Sequence, residues 1–280
     1  MVTKRNKKIK PSRVIIYTVL ILWAITTIFP FVWVIINSFK PSSEVLTSSF
    51  SLPKAFSGDN YITAFSRLNV LNAYKNSLLI SCSVTAGVMV LSALMSFGLT
   101  RYQFKGKKMI QSLIIASLMF PVFSTIIPVF RMIVSWGLLN KNIAVILPQI
   151  AGNLSFATVV VTGFMQNVPI EMEEAAYMEG ANVFQVFGRI IVPLCKPSLS
   201  TVAIFSFLWS YNDLFVQNIM IRDNTKFPIS TLLQQISSLY GTDFGLMAAS
   251  VAIIIIPVVI VYIFLQKNIV KGLTAGAIKG

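Results

Sequence analysis

A chain of 280 residues that is 55% hydrophobic, 11% charged and of mean hydropathy +0.77 has too few charges to cover a soluble domain of its size, which predicts a polytopic membrane protein. Its net charge of +14 reads as loops held on the cytoplasmic side rather than as a nucleic-acid surface, because no polar segment interleaves basic residues with aromatics. There is no His, so the commonest general base and metal ligand is missing; Cys82 and Cys195 lack any CxxC neighbour and read as small packing residues, so no metal site is expected.

In chain order, residues 1–13 form a basic tail with Lys4, Arg5, Lys7, Lys8, Lys10 and Arg13, a cytoplasmic anchor. A first span covers about 14–37; it ends in Phe29-Pro30-Phe31-Val32-Trp33 rather than in the small residues of a cleavage site, which predicts an uncleaved helix. An external loop, 38–75, carries Tyr61, Phe65, Leu68 and Leu71 at helical spacing, so a short amphipathic helix is expected there. The core membrane domain, 76–266, opens with a second span over 76–99 rich in Ser, Ala and Gly, which let helix backbones approach closely in lipid. A basic inner loop, 101–108, follows; its Gly106-Lys107 lacks the spacing of a phosphate loop. The third span, 109–134, contains Pro121 and Pro128 and is expected to be kinked or broken. The fourth runs over 143–164, the fifth over 198–219 and the sixth over 246–265, followed by a basic tail, 267–280. With an inside start, six spans leave both termini cytoplasmic, and 15 of the 23 Lys and Arg then fall on inner segments.

The inner stretch within 166–193 breaks the positive-inside pattern. It holds Glu171, Glu173, Glu174 and Glu179, while its cations Arg189 and Lys196 lie near the fifth span. Anionic headgroups repel such a loop, so it suits a protein surface that presents cations. Pro169 is expected at the first helical position, three glutamates follow where the helix dipole favours negative charge, Gly180 ends the helix, and Asn182 caps a second one.

Glu174-Ala175-Ala176, Gly180 and Ile190-Ile191-Val192-Pro193 resemble the EAA motif of ABC importer permeases (EAA-x3-G-x9-I-x-L-P), with Val192 in place of Leu and Glu179 in place of a common Asp. Phe29-Pro30-Phe31, Ser38-Phe39-Lys40-Pro41, Asn76-Ser77-Leu78, residues 101–107 and the terminal Gly-Leu-Thr-Ala-Gly-Ala-Ile-Lys-Gly of 272–280 are similar to carbohydrate-uptake permeases of the maltose type, the six-span partner of the pair. The resemblance implies an all-α type I ABC importer permease fold in the bacterial cytoplasmic membrane. It implies a non-catalytic subunit that imports a sugar, a di- or oligosaccharide, by ATP-driven alternating access. The implied partners are a homologous second permease, two ATP-binding subunits that hold ATP and Mg, an extracytoplasmic sugar-binding protein and membrane lipid; the chain itself takes no cofactor. Glu173, Glu174, Ala175, Ala176, Tyr177, Gly180, Ile190 and Pro193 would couple to the ATP-binding subunits, and Gly272, Leu273, Thr274, Ala275, Gly276 and Lys279 would reach between them. Gln234, Gln235, Tyr240 and Asp243 would meet the binding protein.

In the fifth span, Asp213 with Asn212, Trp209 and Tyr211 form a candidate translocation path, because an ionisable group in a span is a functional site by default. Import of another small solute, such as a glycerol phosphodiester, is an alternative. A secondary transporter would need paired intramembrane charges, and only Asp213 qualifies; a membrane enzyme would need a nucleophile–base pair that the chain lacks.

Overall fold

The computed structural model describes residues 11–67, 69–231 and 243–277, and every regular element among them is helical. The chain divides into two units, residues 1–68 with 233–256, and residues 69–232 with 257–280.

In the first unit, α1 (Pro11–Ser38) exposes its apolar side chains all round, from Val14 to Ile35, as a helix facing lipid does. Polar anchors follow it. Asn37 donates to Ser49 O at 2.9 Å, and Ser38 Oγ lies 2.6 Å from the Tyr61 hydroxyl. Lys40 is fully buried; its Nζ donates to Ser48 O and Ser51 O at 2.8 and 2.6 Å, where the end of α2 (Ser42–Ser48) leaves carbonyls without helical partners and favours a cation. The expected amphipathic helix is α3 (Asp59–Arg67). It carries Tyr61 and Phe65, but Leu71 belongs to the next helix and Leu68 lies outside the described residues. The last helix, α13 (Phe244–Ala277), begins in this unit. Its Gly245 has to be glycine, since a Cβ there would stand 2.4 Å from Lys40 O.

The second unit is built around α4 (Val70–Arg101), packed on α7 (Ile143–Met165) and α11 (Lys196–Asn212). Small residues let these helices meet closely. Ser77, Ser81, Ser92, Ala93 and Ser96 of α4 are buried; Ser96 donates to Thr158 O and accepts from Thr162 Oγ1. Gly87 faces Ile150, which a Cβ would meet at 2.5 Å.

The third span is broken as expected, into α5 (Lys107–Ser117) and α6 (Val122–Ser135), because Pro121 has no N–H to continue the ladder. Other spans differ from the sequence expectation. The fifth starts at Lys196 and breaks at Asp213, whose carboxylate caps α12 (Leu214–Met220) instead of riding inside a helix. The second helix begins six residues earlier than expected, in the segment read as external loop. The sixth continues as α13 through Ala277, so most of the expected C-terminal tail is helical backbone. Among the described residues, three single helices are long and apolar enough to cross a bilayer, Arg13–Ser38, Val70–Arg101 and Ile143–Met165.

Opposite ends of α4 carry different clusters. Near its start, Asn72 donates to Thr225 O and Asn76 to Phe227 O. There Asn140, at φ 64°, accepts through Oδ1 from the Arg222 and Asp223 N–H groups, while Lys226 Nζ donates to its carbonyl. The other end of α4 is Arg101. Its 32 residues make α4 roughly 48 Å long, well beyond the ~30 Å hydrocarbon layer.

Candidate functional site: the elbow and the cavity

After α7 the chain turns into α8 (Glu171–Met178). The helix starts two residues later than Pro169, and Ile170 O accepts the first bonds, from the Glu173 and Glu174 N–H groups at 2.9 and 3.1 Å. Its end is a two-bond glycine stop. Ala181 N–H donates to Ala176 O and Gly180 N–H to Tyr177 O, with Gly180 at φ 85°, a conformation that costs a side-chain-bearing residue. One residue later Asn182 and Gln185 close a capping box, Gln185 N–H to Asn182 Oδ1 at 2.9 Å and Asn182 N–H to Gln185 Oε1 at 2.8 Å, which starts α9 (Val183–Val186). A π-helical turn over Phe187–Ile191 and a short α10 (Val192–Leu194) lead into α11 across a 75° bend. Pro197 at the bend offers no N–H to the preceding turn.

The two adjacent glutamates of α8 go opposite ways. Glu173 is 3% exposed, and its Oε1 accepts from Arg101 Nε at 2.5 Å; the same guanidinium donates to Val168 O at 3.1 Å. Arg101 therefore holds the elbow to the end of α4 by both its carboxylate and its backbone. Glu174 lies on the exposed face with Glu171, Ala175 and Tyr177. Glu173, expected among the residues that couple to the ATP-binding subunits, is instead turned inward, because a cation on another helix takes its charge. Proximity to Tyr102 and Glu173 adds to partial desolvation, the larger cause, in raising the Tyr177 hydroxyl above the ordinary phenol range.

Sequence reasoning missed the apolar part of this face. Met178 and Phe184, at 89% and 85% exposed, flank the glycine turn and stand out with Met172 and Val183. The signal was their position, either side of a capped turn in a polar loop, where no chain neighbour can cover them. The inner side is anchored by Val186, Ile191 and Cys195, all buried, and by Phe187 against Phe97 at 5.2 Å. Ile190 is half-buried on the π-helical turn and Pro193 is exposed beyond it, so neither belongs to the α8 face.

A second feature lies where the breaks of the third and fifth spans face α7. A cavity of about 750 Å³ is lined there by Phe120, Gln149, Gly152, Phe156, Trp209 and Asp213, among others. Asp213 Oδ2 accepts from Gln149 Nε2 at 2.8 Å and its Oδ1 from Val216 N–H at 3.0 Å. Gln149, 5% exposed, accepts in turn from Ser210 Oγ at 2.6 Å. Trp209 meets Phe156 edge-on, with ring centroids 5.1 Å apart. Of the four residues expected on a path, Trp209 and Asp213 line this cavity. Tyr211 is buried and stacks on Phe207 at 5.8 Å, and Asn212 turns back to Leu208 O. Gln149 and Asn153 were missed, though two amides one turn apart in an apolar helix are a readable signal.

Of the residues expected at a binding protein, Asp243 caps α13 through the Leu246 N–H, and Gln234, Gln235 and Tyr240 lie outside the described residues. Gly272, Leu273, Thr274, Ala275 and Gly276 fall on the final turns of α13, and Lys279 lies outside the described residues.

Comparison with known proteins gives consistent matches. The family described as binding-protein-dependent transport system inner membrane component matches residues 88–275. The diacetylchitobiose uptake system permease protein NgcG of Streptomyces coelicolor is 32% identical over 265 residues, covering 94% of this chain and 88% of its own. The galactooligosaccharides transport system permease protein GanQ of Bacillus subtilis is 30% identical over 268 residues, covering 94% of both chains. A chain from the crystal structure of a bacterial ABC transporter involved in the import of the acidic polysaccharide alginate shares the fold, with a TM-score of 0.80 at 20% identity over 94% of this chain and 99% of that one.

Proposed function

This chain belongs to the family of binding-protein-dependent transport system inner membrane components, and from that premise we propose that it imports a di- or oligosaccharide by ATP-driven alternating access. It is a permease subunit of an ABC transporter. Six spans carry the path: α1, α4, α5 with α6, α7, α11 with α12, and α13. Both termini face the cytoplasm. Arg101, Lys105, Lys107 and Lys108 support this orientation, because Arg101 grips the elbow and so puts the most basic loop at the elbow's end of α4. A homologous second permease completes the membrane pair, and an extracytoplasmic sugar-binding protein delivers the solute. Two ATP-binding subunits hold ATP and Mg and do the hydrolysis.

The observation that carries this reading is the outward face of the elbow. Glu171, Glu174, Met178 and Phe184 stand exposed on two short helices that a left-handed glycine, a capping box and a buried ion pair hold in place. Carboxylates beside large apolar side chains suit a cleft that offers cations and an apolar floor. ATP-driven closure of the partner subunits moves the elbow, and Arg101 passes the displacement to α4. The cycle turns over only because the ATP-bound state favours one of the two membrane conformations.

The test is Glu174→Lys in the assembled importer. Uptake is expected to fall at least tenfold while membrane insertion is kept, and a Cys placed at Met178 should cross-link to an ATP-binding subunit in the wild-type background. Unimpaired uptake, or no cross-link, removes the elbow from coupling.

A further inference from the structure

We propose that the cavity between the helix breaks is a sugar-ring subsite carried by this subunit itself, and that it takes uncharged glycosides and turns away uronic acids; this rests on the reading of the chain as a sugar permease. Three independent features meet there. The first is the backbone. The third span breaks after Ser117 and resumes at Val122, and the fifth breaks at Asp213; both breaks border the same cavity. Non-helical backbone at membrane depth is tolerated only where protein buries it or water reaches it, so two breaks on one cavity mark a hydrated route.

The second is the lining. Trp209 is 46% exposed, with Phe156 braced against its ring and Phe120 also lining the cavity. An indole offers an apolar face of the size and flatness that the C–H face of a pyranose packs against. Hydroxyls need acceptors, and Asp213 supplies them. Each of its oxygens accepts one bond, from Gln149 Nε2 or the Val216 N–H, and an ionised carboxylate oxygen has room for a second. Gln149 is locked by Ser210, so the carboxylate is held in position before any solute arrives.

The third is charge. Among the lining residues Asp213 is the one ionisable carboxylate, and no Lys or Arg accompanies it. A hydroxyl-rich neutral ring donates to that carboxylate. A uronate would bring a second negative charge into a confined space with no cation among the described residues that line it.

Gly152 gives a clean handle. It lines the cavity in the middle of α7, and a Cβ added there meets nothing within 4 Å. Gly152→Phe is therefore expected to project a ring into the cavity from a backbone position that accepts a side chain. The experiment is saturation-transfer NMR on the assembled importer in nanodiscs without binding protein, using cellotriose, triacetylchitotriose and trigalacturonate, beside uptake of the same sugars with binding protein present. Transfer to a neutral trisaccharide is expected; it should be lost in Gly152→Phe and weakened at least fivefold in Trp209→Ala. Trigalacturonate should show none until Asp213→Asn removes the opposing charge. If a neutral sugar is imported and Gly152→Phe imports it at the wild-type rate, the sugar reading stands and the subsite is overturned. Transfer to trigalacturonate equal to that of the neutral sugars overturns the selectivity. If the wild-type importer takes up none of the three, the sugar reading falls and the subsite with it.

Discussion

Glu173 and Asp213 both sit where the second unit interrupts its helices, and the chain treats them in opposite ways. Glu173 is buried with a full positive charge against it, Arg101, contributed by the far end of another helix. Asp213 is only half-buried and is held by neutral donors, Gln149 and the Val216 N–H. A buried carboxylate matched by a guanidinium is consumed as a fastener, because separating the two strands both charges. A carboxylate steadied by neutral donors has spare lone pairs left for something else. On the proposed function, one break transmits movement and the other meets a solute.

The comparison can be broken first at Arg101. Arg101→Met leaves the Glu173 carboxylate buried without a partner and is expected to cost about 3 to 5 kcal/mol, read as a lower unfolding midpoint of the purified importer with loss of coupled uptake. The double exchange Arg101→Glu with Glu173→Arg should recover part of both, and recovery of stability without uptake would limit the pair to a structural role. Gln149→Leu comes next. It orphans Asp213 Oδ2 and Ser210 Oγ, for about 1 to 3 kcal/mol, and should reduce neutral-sugar uptake more than it reduces elbow-dependent ATPase stimulation. Equal losses in the two assays would mean that the regions are not separable. The smallest effect is expected from Asn182→Ala, which opens the capping box and frees Gln185, at about 1 kcal/mol. Its signature is a lower ratio of uptake to ATP hydrolysis with near-normal stability.

Much of the elbow was legible in the residues themselves. Gly180 as a helix stop and Asn182 as a cap are local chemistry, and both stand where they were read. The broken third span was readable from Pro121 for the same reason. The break at Asp213 was not, since no proline or glycine marks it. An acidic side chain inside an apolar run looks like a buried charge until its oxygen is seen accepting the N–H three residues on. The long α13 was also misjudged, because the polar residues from Gln266 onward look like a tail yet are compatible with helix.

Composition and short-range pattern alone determined that this is a membrane-spanning helical chain with an acidic elbow, because hydrophobic run length, proline and capping residues act within a few positions of themselves. Only the tertiary structure decided which of two adjacent glutamates faces outward and where the cavity lies. Those outcomes depend on partners distant in the chain, Arg101 72 residues before Glu173 and Gln149 64 residues before Asp213, and nothing local to either carboxylate carries that information.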